Sequence, residues 1–264
     1  MKQKPDHGEE SYRGLNRLED RVALITAADS GIGKAVAIAF ARAGADILLS
    51  YLPEEEEDAA DTSQWIEKAG CKAVKIPGDL REESYCEGLV TRASADFGKL
   101  DLLVNVAGFQ MTHDNIEELT TKEFDRTFKI NVYCTVLVGS CGFTQDETRK
   151  CHHQHGFHSS LRSFSPNLLP YAATKASIVS LTKTLSQIGS KQGARTNAVT
   201  PGPVWTPLIP ATMPEEKVKT FGKDTSFGRA AQPVEISSVF VFLASNEAPF
   251  VSGEVYGVTG GQTP

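Results

Sequence analysis

The sequence predicts a single α/β domain, a parallel sheet wound with helices on both faces, and three observations carry that prediction. Short, near-continuous apolar runs alternate with helix-length segments from Arg21 to Gly108, the pattern of a parallel sheet buried on both sides. The first run leads into a glycine-containing turn and then a helix. Turns at 27–33, 78–80 and 105–108 all follow strands, so they collect at the carboxyl edge of the sheet, where folds of this kind bind ligands.

Taken in order, Arg21 to Thr26 is a strand and Ala27 to Gly33 the turn, with a helix over Lys34–Ala43. A close backbone approach and a helix amino terminus together suit a pyrophosphate group. Ala45 to Tyr51 is the second strand. The acidic run Glu54–Asp58 opens a helix that extends to Ala69, since carboxylates are favoured at that end of the helix dipole. A strand at Ala73–Ile76, the turn Gly78-Asp79-Leu80, a helix over Glu82–Phe97 and a strand at Leu100–Val106 follow. Past the middle of the chain come a helix from Tyr171 through Ile188, a strand at Ala194–Thr200, a helix at Pro233–Ala244 and a last strand at Glu254–Val258.

The totals exclude several classes. The chain of 264 residues carries a net charge of -6 without a basic block, which argues against nucleic acid as a partner. No apolar run approaches the roughly 18–20 residues of a membrane span. Met1 to Asp20 is polar and is expected to be a flexible arm ahead of a domain at 21–264. Five cysteines, odd in number and without a Cys-x-x-Cys pair, fit a reduced, cytoplasmic protein.

Chemistry is suggested by Tyr171 and Lys175. Four residues apart on a helix, they share a face. An ammonium beside a phenol favours phenolate and draws a pKa of about 10 towards neutrality. Such a phenol can exchange a proton with a carbonyl or alcohol oxygen.

TAADSGIG at 26–33, GDL at 78–80, NVAG at 105–108, INV at 130–132, YAATK at 171–175, NAVTPGPVWTP at 197–207 and GEVYGVTGG at 253–261 occur in this order. Together they resemble the short-chain dehydrogenase/reductase family, and most of all its bacterial stress-type and glucose/ribitol dehydrogenase-like members. The resemblance implies a Rossmann-like fold and hydride transfer between NAD or NADP and a carbonyl or alcohol substrate such as an aldehyde, sugar or polyol. It makes Tyr171 the acid/base, Lys175 its partner on the nicotinamide ribose, and Asn131 the holder of a relay water. The implied cofactor set is Thr26, Asp29, Ser30, Gly31, Ile32, Gly33, Tyr51, Asp79, Leu80, Asn105, Ala107, Gly108, Pro201, Gly202, Val204 and Thr206. Residues 205–227 look like the substrate-covering lid, no metal is expected, and family members form homodimers or homotetramers. Ser50 and Tyr51 stand where a carboxylate would select NAD. That leans towards NADP, although the same loop lacks Arg and Lys and Asp29 would repel a 2′-phosphate.

Three departures from the family pattern stand out. Ala27 replaces the first glycine of the turn, and Val106 replaces an asparagine whose side chain ties strands together. From Val136 to Ser163 neither the expected helix nor the expected central strand is legible, and His158 stands where the family has its catalytic serine. Ser159 is out of register, because a one-residue shift on a strand reverses the face, and Ser160 recovers the face only by sitting two residues too far along. Three readings apply to this interval: a metal site built from Cys151, His152, His153, His155 and His158, a solvated insert, or a compensated frameshift. Read one nucleotide later, permitted codons for 136–164 can yield an alanine-rich helix, a turn and an apolar strand ending in serine. A relative that binds dinucleotide without turnover is the alternative function. Sequencing the coding DNA tests the frameshift: the codons of 136–164 are expected to encode that helix and strand one base on, and codons that cannot do so exclude it.

Overall fold

The computed structural model describes residues 3–142, 152–156 and 166–261. Among these, β1 (Val22–Thr26), β2 (Asp46–Tyr51), β3 (Ala73–Pro77), β4 (Leu102–Asn105), β5 (His152–Gly156), β6 (Thr196–Pro201) and β7 (Val255–Val258) form one sheet. All pairings are parallel, in the order β3-β2-β1-β4-β5-β6-β7. The helices are α1 (Gly31–Arg42), α2 (Glu56–Lys68), α3 (Glu83–Phe97), α4 (Thr121–Phe128), α5 (Cys134–Gly142), α6 (Leu169–Ser190), α7 (Leu208–Thr212), α8 (Glu215–Thr220) and α9 (Pro233–Ala244). Strand order reverses between β1 and β4, which opens a crevice at their carboxyl ends.

Alternation along the strands divides the interior in two. Ala23, Ile25, Ile47, Leu49 and Val104 share a core with Val36 and Phe40 of α1 and with Ile236 and Phe240 of α9. Val22, Leu24, Leu48 and Leu103 point the other way, onto Leu89 and Ala93 of α3 and Cys134 and Val138 of α5. Burial on both faces is what the near-continuous apolar runs require. α1 is buried from Gly31 to Ala41, as expected of a helix that is apolar on every side apart from Lys34, whose ammonium pairs with Asp61.

The expectation that 136–163 forms neither helix nor strand is corrected at both ends. α5 runs to Gly142, its apolar start anchored by fully buried Val138. β5 occupies the centre of the sheet, with His153 opposite Leu103 on one side and Thr196 on the other. Flanking strands supply main-chain partners on both edges of β5. His158, Ser159, Ser160 and the candidate metal ligands of Cys151–His158 lie outside the residues whose side chains are described, as does most of the frameshift interval. No cluster of metal-ligating side chains is present among the described residues.

Residues 3–20, expected as a flexible arm, lie across the domain. His7, Tyr12 and Leu18 are buried, and the Arg42 guanidinium donates to the carbonyl oxygens of Glu9 and Tyr12.

The turn after β1 bears the cost anticipated for alanine. Ala27 has φ of 50°, in the left-handed region. A Cβ on Gly33 would fall 1.9 Å from the Ala27 carbonyl oxygen, so the backbones cross there in contact. A left-handed alanine costs about 1 kcal/mol relative to glycine. Ala27→Gly is therefore expected to raise the melting temperature by roughly 2–4 °C, measured by calorimetry.

Candidate active site

The carboxyl edge is tied across the crevice by Thr26. Its hydroxyl accepts the N–H groups of Val106 and Ala107 at 3.1 and 3.2 Å. Val106, which stands in place of the family asparagine, joins the apolar core.

Beside it, the amino terminus of α1 is poised for an anion. Ser30 makes no side-chain cap, and no acidic residue lies in the first turn, leaving the helix dipole and its N–H groups available. The Thr206 hydroxyl is buried without a hydrogen-bond partner. A Cβ on Gly31 would sit 3.4 Å from the Thr206 side chain, so glycine keeps the gap between β6 and α1 open. Asp29, 3% exposed, also has an unpartnered carboxylate oxygen, and burial raises its pKa. These groups fit a diphosphate with a neighbouring ribose.

A cavity continues from this turn past Tyr51 and Glu55 to Asp79, Arg81, Phe109 and Arg126. Tyr51 is itself buried, with its hydroxyl on Glu56. Asp79 accepts from the Arg81 guanidinium, which holds its carboxyl below the usual range. The Arg126 guanidinium lies 4.2 Å from the centre of the Phe109 ring. The loop after β2 does lack Arg and Lys, but Arg81 and Arg126 line the same cavity from the β3–α3 loop and α4. Inspection of one loop cannot reveal them, because only the folded sheet brings the three segments together. Pro201, Gly202 and Val204 lie at the end of β6 and just beyond it, outside the lining of this cavity, with the Gly202 N–H donating to the Val258 carbonyl at 2.9 Å.

Tyr171 and Lys175 sit on the first turns of α6, facing the sheet, 4% and 7% exposed. The Lys175 ammonium lies 4.9 Å from the centre of the Tyr171 ring, and a Cβ on Gly108 would be 3.9 Å from it. The helix pair therefore meets the end of β4, as the shared motif implies. The pKa expectation reverses, however. Burial pushes the Tyr171 phenol upward and pulls Lys175 down to about 8. Desolvation outweighs the attraction that the four-residue spacing suggests.

Asn131 joins these parts. It sits in a π-helical turn, Lys129–Tyr133, between α4 and α5, a local irregularity common at functional sites. Its amide accepts the Phe109 N–H at 2.8 Å and donates to the Phe109 carbonyl and the Thr174 hydroxyl, both at 3.0 Å. Its main-chain carbonyl accepts a 3.4 Å bond from the Thr135 hydroxyl.

Residues 26–263 match a family model described as enoyl-(acyl carrier protein) reductase. General stress protein 39 of Bacillus subtilis is 41% identical, covering 99% of this chain and 91% of its own length. The chain belongs to the short-chain dehydrogenase/reductase family. The family is one of oxidoreductases. NADPH-dependent aldehyde reductase 1 of Arabidopsis thaliana is 36% identical over 99% of this chain and 92% of its own. Among solved structures, a short-chain dehydrogenase from Burkholderia cenocepacia in complex with NADP superposes with a TM-score of 0.83. It is 25% identical, with 93% of this chain and 98% of that one covered.

Replacing Asn131 by leucine leaves the half-buried Phe109 amide and carbonyl without their Asn131 partner. Asn131→Leu is expected to destabilise the protein by about 2–4 kcal/mol, seen as a lower urea midpoint at unchanged slope.

Proposed function

We propose that this short-chain dehydrogenase/reductase is an NADPH-dependent reductase of aldehydes or sugar carbonyls, able to run in reverse on the corresponding alcohol or polyol. The observation that carries the reading is the buried Tyr171–Lys175 pair beside Gly108, opposite a helix terminus shaped for a diphosphate. Gly31, Ile32 and Thr206 would hold the diphosphate, and Asp79 and Leu80 the adenine. Arg81 and Arg126 in the cavity wall, and the missing carboxylate at the end of β2, support NADP over NAD. The names of the Arabidopsis and Burkholderia relatives support it too.

When bound, NADPH would supply the hydride. Tyr171 then gives its hydroxyl proton to the carbonyl oxygen. Burial keeps the phenol protonated, which suits a donor, and the charge on Lys175 favours the phenolate left behind. The 205–227 segment covers the substrate. Its α7 reaches the opposite wall, where the Gln110 amide donates to the Thr212 hydroxyl at 2.8 Å.

We further read the protein as cytoplasmic and as a homodimer or homotetramer. Among the described residues, Cys71 and Cys134 are not in disulfides, in keeping with the first. Exposed Tyr133 and Val136, beside Leu181 of α6, support pairing through this face. No described helix is long and apolar enough to cross a membrane.

Stopped-flow measurement of aldehyde-dependent NADPH oxidation tests the reading. Tyr171→Phe is expected to lower kcat by about 10²–10⁴-fold while NADPH still binds by fluorescence. Native protein that binds NADPH yet turns over no aldehyde, sugar or polyol would mark an inactive relative. The pH profile gives a second check. Lys175 is charged below about pH 8 and neutral above it, so kcat/KM for reduction should hold below that pH and fall as pH rises through it. Lys175→Met should be slower and lack that fall. A native profile that stays level to pH 10 would remove Lys175 from the mechanism.

A further inference from the structure

The lid segment at 205–227 has two roots, and the chain before β1 grips both. At the first root, the Trp205 indole N–H donates to the Gln3 carbonyl at 3.0 Å. At the second, the Asp6 N–H donates to the Gln232 side-chain oxygen at 2.9 Å, and the Asp6 carbonyl accepts the Val234 N–H at 3.1 Å. The roots are themselves joined. Ala231 donates to the Pro203 carbonyl at 2.8 Å, and Trp205 to the Ala231 carbonyl at 2.9 Å.

The gripping segment is firmly seated. Arg42 on α1 holds the carbonyls of Glu9 and Tyr12. Lys34, one turn into the same helix, lies 3.5 Å from the Glu9 carboxylate. Glu9 also pairs with His7 at 3.1 Å, and a Cβ on Gly8 would fall 2.9 Å from Tyr12 Cβ and 3.1 Å from the Val234 side chain. The segment therefore connects α1 to both hinges of the lid, and Gln3 and Asp6 make their links through main-chain groups.

We propose that Gln3–Glu9 is a clamp that fixes the hinges of the 205–227 lid and so sets affinity for the carbonyl substrate. The proposal rests on the lid reading given above. It assigns a positioning role: nothing in the segment touches the reacting atoms. Lid closure then depends on two sets of contacts, the clamp at the roots and the Gln110–Thr212 bond at the far wall.

Limited trypsin digestion of the full-length protein provides the decisive test, because Lys217, Lys219 and Lys223 are exposed on the lid. Two variants are compared with the native protein, one lacking residues 2–7 and one carrying Trp205→Phe. Losing the three root bonds should speed cleavage at these lysines at least tenfold, and losing the indole bond alone about fivefold. KM for the aldehyde should rise about tenfold in the truncated protein, while NADPH affinity stays within about twofold. A folded truncated protein with native cleavage rates would overturn the proposal, as would NADPH affinity weakening in step with aldehyde KM. Should the truncated protein fail to fold, Trp205→Phe decides alone, supporting the clamp by faster lid cleavage and refuting it by an unchanged rate. Native protein without turnover would defeat the proposed function, but the cleavage comparison would still judge the clamp.

Discussion

The site depends on one buried amide. Asn131 spends its side chain on the main chain of Phe109 and on the Thr174 hydroxyl. Those bonds fix three elements at once: the loop after β4, the π-helical turn before α5 and the helix bearing Tyr171 and Lys175. Because the amide is 1% exposed, its donors and acceptor have no water to fall back on, and the geometry they impose is correspondingly stiff. The residue that a proton relay would use as a water holder thus also aligns the helix with the sheet.

Desolvation then sets the electrostatics. Tyr171 and Lys175 both shift away from their charged forms, so the crevice holds a neutral phenol beside a reluctant ammonium. A pair tuned in this way is biased towards giving a proton rather than taking one. Nearby, burial raises the pKa of both Asp29 and Glu55.

Much of this could be read from residue order. The alternation of apolar runs gave β1 to β4 and the carboxyl-edge turns, and the helix at Pro233–Ala244 has the expected ends. Ala27 was recognisable as a strained position because a glycine-like turn leaves few alternatives. Other features depend on distance in the chain. Arg126 precedes Asn131 by five residues yet reaches the cavity beside Ala27, and Gln110 meets Thr212 across the crevice. The pKa reversal was hidden for a different reason, since spacing reports proximity and burial emerges only from packing. The segment before β1 misled because its links to Trp205 and Val234 are made by carbonyls, and composition does not report main-chain bonds. The interval after Val136 misled in the opposite sense: an unsuitable run of side chains masked a backbone that β4 and β6 hold in place.

That central strand carries a consequence for how the architecture persists. β5 is joined to β4 and β6 by a parallel ladder of amides and carbonyls, groups that every residue except proline provides in full. The sheet's connectivity is thus buffered against mutation in its middle, and a lineage could lose the chemical character of that strand while inheriting the same topology. Architecture and competence can diverge here, one being written in the polymer and the other in its substituents.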